Sequence, residues 1–564
     1  MNENGTLVRD LRRWLGQLQE ERRSWEPFWR DVKDYIVPDR GRYLCGESAT
    51  EVNDGSRKDT KIINGAATKA SGTMAAGMSS GLTSKAREWF DLSHPDDSIN
   101  QIVRVKKYYK FVKKQLFEGY DRSNLYNALH NVYEELGNFG TGPIAVLEHP
   151  EKVFYFRSFT AGSYYLSSNS RLEVDAFFMF EYLTAKQMLD KYGIDNLSRQ
   201  VVSALNNNRY EDRFRVDVAV LKEPQRLKLS VPRDMPVAEI HFDSDRDHCK
   251  PLMIKYYRSF PILTPRWNTI GEDVYGYPPT RDIIGNAKML QQMEREKLQA
   301  LRKIVSPPLQ GPSEFERRGI NASPGGYNAI AGASGDGIRP LYLVNPDITG
   351  ISNEISKVVN DIQRGFYNDL FLMLQQRDMI NRAPMTATEV ESRDWEKMLS
   401  LGPVLESIHY ELLNPLIDRS IQLLYFAGRI PEPPPELLDS PSKVEYLSIL
   451  SQAQKAVSVK KLESAVSFVG GITGILPNAP KMIKTYNLVS AYNRAIGLDP
   501  DIQATEEEFN GAVASDQQMV QAAQQAKIGG DIAQAAKVAS EMDLGNLNEI
   551  TGNMIGGGGG RMVI

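Results

Sequence analysis

The sequence predicts an α+β protein that is mainly helical and built from more than one core. Three observations carry this. Segments with apolar residues at three- and four-residue steps dominate both ends of the chain. Between Pro143 and about Arg258 that period gives way to short runs rich in aromatic and β-branched residues, as strands are. A length of 564 residues exceeds what one hydrophobic core supports, so three or four substructures are expected.

Residues 6–37 read as an amphipathic helical region. Leu7, Leu11, Trp14, Leu18, Trp25, Phe28, Val32 and Tyr35 recur at helical spacing, with one break at Pro27. Residues 61–83, "KIINGAATKASGTMAAGMSSGLT", read as a helix of small residues, in which Gly72, Ala75, Ala76, Ser79 and Ser80 would let a second helix approach closely. Residues 101–136 give one further helix, closed by the turn "GNFGTG" at 137–142. Strand-like segments follow: "PIAVLEH", "KVFYFRSF", "AFFMFEYL", "RVDVAVLKE" and "KPLMIKYYRSF", interrupted by one helix around Thr184–Tyr192.

After "YGYPPT" (275–280) a long helix begins. Ile283, Ala287, Leu290, Leu298, Leu301 and Val305 keep helical spacing until Ser306-Pro307-Pro308 ends it. Residues 281–306 would make a rod of about 39 Å at a rise of 1.5 Å per residue. A glycine- and proline-rich excursion (307–337) and a short strand, "IRPLYLV", lead to a second helix, Ile351 to Leu374. Its apolar stripe is Ile351, Ile355, Val358, Ile362, Phe366, Leu370 and Met373. Then comes "QQRDMINRAPMTATEVESRDWEKM" (375–398), a polar loop that restarts as a helix at the capping box Thr386-Ala-Thr-Glu389, with Met385 and Val390 as a hydrophobic staple. That helix runs to Gly428 with kinks expected at Pro403 and Pro415. "PEPPPE" (431–436) is a stiff linker. Residues 441–500 hold two or three more helices, before an Ala/Gln-rich helical tail broken at Gly529-Gly530 and a terminal "GGGGGRMVI" expected to be disordered.

Composition narrows the function. Hydrophobic residues make up 41% and charged residues 24%, an ordinary globular balance. No apolar run reaches the roughly 18 residues a membrane span needs, and "MNENGTLVRDLRRW" has no apolar signal core. Cys45 and Cys249 lie too far apart in the chain to suggest a disulfide framework, so synthesis in a reducing, intracellular place is expected. With 67 basic against 71 acidic residues, the net charge of −4 argues against tight, static grip on nucleic acid, though not against nucleic acid passing nearby.

Catalytic and metal chemistry find no support. "HFDSDRDHC" (241–249) sets Asp243, Asp245 and Asp247 at the 1, 3, 5 spacing of a calcium loop, but His248 and Ile254 stand where glycine and glutamate are needed. A solvated turn between strands fits better. "GMSSGLTSK" (77–85) misses the phosphate-loop spacing, and "GNFGTGP" follows a helix rather than a strand. The six histidines show no metal-binding spacing; His409 is expected packed or exposed on its helix. No cofactor, metal or catalytic residue is expected.

The order of parts, with its local motifs, resembles the portal (head-to-tail connector) proteins of short-tailed double-stranded-DNA bacteriophages. The resemblance rests on "LTSKAREWFDL" (82–92), "GNFGTGPIAV" (137–146), "YGYPPTRDIIGNAKMLQQMER" (275–295), "KIVSPPL" (303–309), "RAPMTATEVESRDWEKMLSLGPVLESIHYELLNPLIDR" (382–419) and "GRIPEPP" (428–434), and thins beyond about residue 435. It implies a portal fold: a wing (1–279), stem helices (280–306 and 347–374) flanking a clip (307–346), a tunnel loop (375–386), a long kinked wing helix with its linker (387–436), and a helical crown with a possible barrel tail (437–564). It also implies a ring of twelve copies at one capsid vertex of the virion, made in the host cytoplasm. Duplex DNA would pass through its channel without sequence preference. Terminase large subunit and tail adaptor would meet the clip, the wing would meet the capsid shell, scaffolding proteins are further partners, and no membrane is involved.

A largely acidic wall keeps DNA from sticking, while sparse cationic rings steer it. The candidates are Arg377 and Arg382 in the loop, and Lys357 and Arg364 on the second stem helix. For the last two, pairing with acids of a neighbouring subunit is the plainer alternative. Two other classes stay open: a large cytosolic enzyme with an unrecognised site, and a scaffold that never touches DNA.

Overall fold

The computed structural model describes residues 3–306 (apart from 45, 47–51, 53, 101 and 246), 347–372, 402–437 and 443–447, with the short pieces 309–310 and 339–340 and a few positions beyond 466. The chain divides into two units, Met1–Gln454 and Lys455–Ile564, and the described elements belong to the first. Most of the excursion after the first long helix, the loop with Arg377 and Arg382, the capping box at Thr386–Glu389 and nearly all of the second unit lie outside the described residues.

The N-terminal region is two helices, α1 (Glu3–Arg22) and α2 (Glu26–Tyr35), and Pro27 stands in the first turn of α2, where its missing N–H costs nothing. The small-residue helix α3 (Ala66–Leu82) starts after Gly65, so residues 61–65 precede it. Strand β1 (Phe90–Ser93) and the short α4 (Asp97–Asn100) follow.

The single helix expected over 101–136 is two, α5 (Val103–Arg122) and α6 (Leu125–Phe139). The cause is local: Ser123 Oγ accepts from the Leu125 amide (3.2 Å). The Asn124 side chain pairs with both backbone groups of Phe156, donating to its carbonyl (2.6 Å) and accepting from its amide (3.0 Å), as a strand residue would.

The strand region forms two antiparallel sheets. β2 (Ile144–His149) lies between β3 (Val153–Ser158) and β9 (Ile262–Leu263). The larger sheet is a meander: β4 (Tyr164–Ser168), β5 (Val174–Thr184), β6 (Arg213–Leu221), β7 (Val237–Asp243) and β8 (Pro251–Tyr257). Between β5 and β6 stand α7 (Ala185–Tyr192), opened by a Thr184/Gln187 capping box, and α8 (Arg199–Asn206), a second helix the periodicity did not announce. Both faces of the larger sheet are covered. Ala176, Phe178 and Phe180 of β5 pack with Leu7, Val8, Leu11, Leu15 and Leu18 of α1, while Phe177 and Met179 point into the main core. That two-sided burial is why "AFFMF" reads as an unbroken apolar run.

The long helix α9 (Thr280–Val305) matches its expected span, and all its buried residues lie in the first half, Thr280 to Gln291. Leu309–Gln310 (β10) pairs antiparallel with Arg339–Pro340 (β11), and α10 (Ile348–Gly365) follows. The second helix was expected unbroken to Leu374, yet Tyr367 takes a left-handed φ of 56° and a new turn runs over 368–372. Two packing contacts accompany the break. Gly365 lies so close to Ile283 of α9 that a Cβ would meet its side chain at 2.6 Å, and the Phe371 ring fills the space where a Cβ on Gly77 of α3 would be, 2.3 Å away. The small-residue helix does admit a close neighbour, but through Gly77; Gly72 and Ser80, expected at that contact, are exposed.

The last helical run is α11 (Gly402–Ile408), a π-helical turn (His409–Leu413) and α12 (Asn414–Phe426). The wide turn comes immediately before Pro415, whose ring would collide with the carbonyl four residues back in a regular helix. His409 stacks on Tyr446 at 3.9 Å. The proline linker ends in a 3-10 turn, Pro435–Leu437, with Leu437 buried, and β12 (Lys443–Tyr446) then pairs with β1. Leu437 and β12 therefore belong to the first unit, whereas the sequence reading starts the crown at residue 437. Among the described residues no helix is long and apolar enough to cross a membrane.

The end of α6 is the junction of this unit. Gly140 (φ 81°) caps the helix and lies against Gly276; a Cβ on either would stand 2.1 Å from the other's carbonyl oxygen. Glu135, one turn earlier, is fully buried and accepts from the Ala161 amide (3.0 Å), with the Arg40 guanidinium 3.5 Å away. Burial pushes its carboxyl up to about 7 despite Arg40.

Two predictions follow from this junction. Gly140→Ala and Gly276→Ala each lower the unfolding free energy by about 3 kcal/mol or more, since neither backbone can yield. Gly72→Ala, in open space mid-helix, raises it by roughly 0.5–1 kcal/mol; thermal unfolding monitored by circular dichroism ranks the three. Because the folded-state pKa of Glu135 lies above its unfolded value, its contribution is present below about pH 4.5 and is lost as pH rises through about 7. Glu135→Gln therefore flattens the dependence of Tm on pH in that window.

Candidate nucleic-acid interface

Gly365, at the end of α10, meets Ile283, in the first turn of α9, so the two helices run antiparallel. Their shared seam is Ile355, Val358 and Ile362 against Ile283, Ala287 and Leu290. Polar bolts hold α9 to the body. The buried Gln291 side chain accepts from the Ile63 and Asn64 amides (2.6 and 2.9 Å) and donates to the Asn64 carbonyl (2.9 Å), and Lys288 pairs with Asp31 of α2 (2.6 Å).

Of the four cations expected to face DNA, Arg377 and Arg382 lie outside the described residues. Lys357 is 69% exposed and reaches Glu354 one turn earlier at 2.5 Å, an i,i+3 surface pair of little energetic weight. Arg364 is exposed in the last turn of α10, and its side chain makes no ion pair or hydrogen bond among the described residues. It stands on the wall of an open cleft of about 840 Å³, with Trp267, Tyr277, Arg281, Tyr367 and Ser407. Arg281 lies over the Tyr277 ring at 4.4 Å. The structure thus sets a second arginine, from the quoted motif "YGYPPTRDIIG", near Arg364; its place in the first turn of a helix gave no signal of this.

Three buried constellations look chemical and are structural. Arg266 grips the Glu411 carboxylate through its backbone amide (2.8 Å) and guanidinium (2.5 Å), tying the π-helical turn to the loop before α9. Arg419 of α12 is satisfied by the Val146 and Ser259 carbonyls (2.8 and 2.7 Å), and burial pulls it down to about 10. A chain of bonds runs from Tyr192 to His241 (3.0 Å), on to Glu239 (2.6 Å) and Tyr257 (2.6 Å). It resembles a proton relay, but His241 is 2% exposed, and the chain braces α7 and β8 against β7.

The calcium-like loop holds a cation of its own kind. Arg12 of α1 points one guanidinium nitrogen at the carbonyls of Asp243, Asp245 and His248 (2.8, 2.5 and 2.8 Å), while Asp243 and Asp245 accept from the amides two residues on. Among the described residues no group of His, Cys, Asp and Glu is placed to hold a metal ion.

The described residues thus form an α+β body carrying an antiparallel helix pair, with Arg364 exposed at the end of α10. Comparison with known proteins gives the family. The family model described as "Bacteriophage head to tail connecting protein" matches residues 8–503. The chain is 34% identical over 544 residues to the portal protein of Salmonella phage epsilon15, covering 96% of this chain and 97% of that one. It is likewise 34% identical over 547 residues to the probable portal protein of Bordetella phage BPP-1, covering 96% of each. This chain belongs to the family of bacteriophage head-to-tail connecting, or portal, proteins.

Arg12→Met leaves three carbonyls without their donor and costs about 1–3 kcal/mol. Adding calcium or a chelator leaves the Tm of the unaltered protein where it was. A calcium-dependent Tm would show that the loop is an ion site after all.

Proposed function

We propose that this chain is the subunit of a twelve-membered ring at one capsid vertex of the virion, through which the genome is packaged and later ejected. The observation that carries the reading is the likeness to two phage portal proteins along 96% of the chain. The helix pair supports it. The second half of α9, from Gln292 on, contributes no buried residue, as expected of a stem. In this reading the pair lines the channel, and the stretch between α9 and α10 (307–346) is the clip that meets terminase large subunit and later the tail adaptor. The α+β body is the wing facing capsid and scaffolding proteins. The segments 375–386 and 437–564 serve as tunnel loop and crown. No catalysis is assigned to the chain.

DNA moved in both directions must not be held. A net charge of −4 per copy, repeated around a ring, repels phosphate over most of the wall, and isolated cations provide brief contacts. Arg377, Arg382, Arg364 and Lys357 fill that role, touching backbone rather than base edges because the substrate has no fixed sequence. The unpaired state of Arg364 favours it over Lys357.

Electron microscopy of the purified protein is expected to show annular particles with a central hole. Twelve copies of 63.4 kDa amount to about 761 kDa. A monomer or dimer at every concentration overturns the ring. Arg377→Ala combined with Arg382→Ala slows packaging or lets packaged DNA leak; normal packaging and retention would remove the loop from the channel and favour a scaffold that never touches DNA.

A further inference from the structure

The helix α5 is unlike the rest of this acidic chain. Val103–Lys114 contains six basic residues and no acidic one. Arg104 pairs with Glu436 (2.5 Å), and half-buried Lys113 with Glu88 and Asp91 (3.1 Å each). Lys106, Lys107, Lys110 and Lys114 are exposed. Lys106 and Lys107 join no ion pair among the described residues, and Lys114 reaches Glu118 only at 3.8 Å. The helix buries Val105, Tyr109, Val112, Leu116 and Tyr120, so Lys107, Lys110 and Lys114 fall at the centre of the opposite, outward face. Acidic residues on that face, Glu118 and Asp121, begin only in the last turns.

We propose that the outward face of α5 is a second contact for duplex DNA, weak and salt-dependent, lying outside the α9–α10 pair. The inference rests on the reading above, which brings DNA to this protein. Four long, flexible ammonium groups on a convex helix make point-charge contacts, suited to a phosphate backbone whose charge is spread over a smooth surface. They offer no fork for bidentate pairing with particular carboxylates, which an acidic protein partner would reward. Nor does the surrounding sequence explain them as general solubility, since the chain carries a net negative charge. The helix packs on β1, α6, β3 and α12, and carries none of the residues named for the channel.

A relaxed, covalently closed circular duplex separates this face from a channel, because a closed circle cannot be threaded. Filter binding of such a circle to the full-length protein is expected to weaken as salt rises from 50 to 200 mM. The combined variant Lys106→Gln, Lys107→Gln and Lys114→Gln lowers the slope of log K against log salt by about 2.7, and the affinity at 50 mM at least tenfold. Its Tm is unchanged, as exposed side chains on a good helix former allow. Lys113→Gln, which removes an internal ion pair, lowers the Tm and leaves the slope alone. An unaltered slope in the triple variant overturns the proposal, and so does failure of the unaltered protein to bind circles at 50 mM, which would leave the face to an acidic protein. Absence of rings by electron microscopy, with circle binding intact, would instead reject the ring and channel and spare this contact.

Discussion

Two glycine backbones pressed together hold the described unit in register. Gly140 ends α6 with a positive φ, and Gly276 sits in the turn that opens toward α9. Three hydrogen bonds surround the contact: Trp267 amide to Gly140 carbonyl (2.8 Å), Gly276 amide to Thr141 hydroxyl (2.9 Å), and Thr280 hydroxyl to Asn138 carbonyl (2.7 Å). Asn138 is itself buried and bonded to Ser71 of α3 (2.7 Å). One spot thus joins α3, α6 and α9. Anything larger than hydrogen at either glycine would pry them apart, because the facing atoms are backbone and cannot rotate away.

From this spot the direction of α9 is set, and α10 inherits it through Gly365 against Ile283. The break at Tyr367 then turns the chain so that Phe371 drops into the space over Gly77 of α3. Each close approach depends on a glycine that has no side chain to offer. Large parts of the rest of the unit are insensitive by comparison, because aliphatic and aromatic side chains share the packing there among many neighbours.

The distribution of charge follows the same economy. Three buried arginines are spoken for: Arg22 by the Gly162 and Tyr164 carbonyls, Arg266 by Glu411, Arg419 by two carbonyls. Burial demands such partners, since an unsatisfied guanidinium inside a protein is costly. Cations left over at the surface are therefore informative. Arg364 at the base of the helix pair and Lys106 and Lys107 of α5 stand out in a chain with more acids than bases, and that contrast gives both functional readings their physical basis.

Helix periods, the small-residue helix, the strand region, the expected limits of α9 and the likeness to portal proteins were all legible in the sequence, because each is written in local spacing or contiguous motifs. So was the 1, 3, 5 spacing of Asp243, Asp245 and Asp247 in the loop after β7. What occupies the loop was not legible: Arg12 comes from more than 200 residues away. The same distance hid the strand pair β1–β12, whose members are over 300 residues apart, and the meeting of Gly140 with Gly276. The breaks at Ser123–Asn124 and at Tyr367 are cut into periodic helical patterns by partners elsewhere, Phe156 in the first case and the packing of Gly365 and Phe371 in the second. By itself the sequence determined which segments fold and to what family the chain belongs, since backbone preference and apolar spacing act over a few residues. Only the tertiary structure decided where those segments bend, which glycines are irreplaceable and which cations lack a partner among the described residues, because these depend on atoms that chain distance keeps apart and packing brings together.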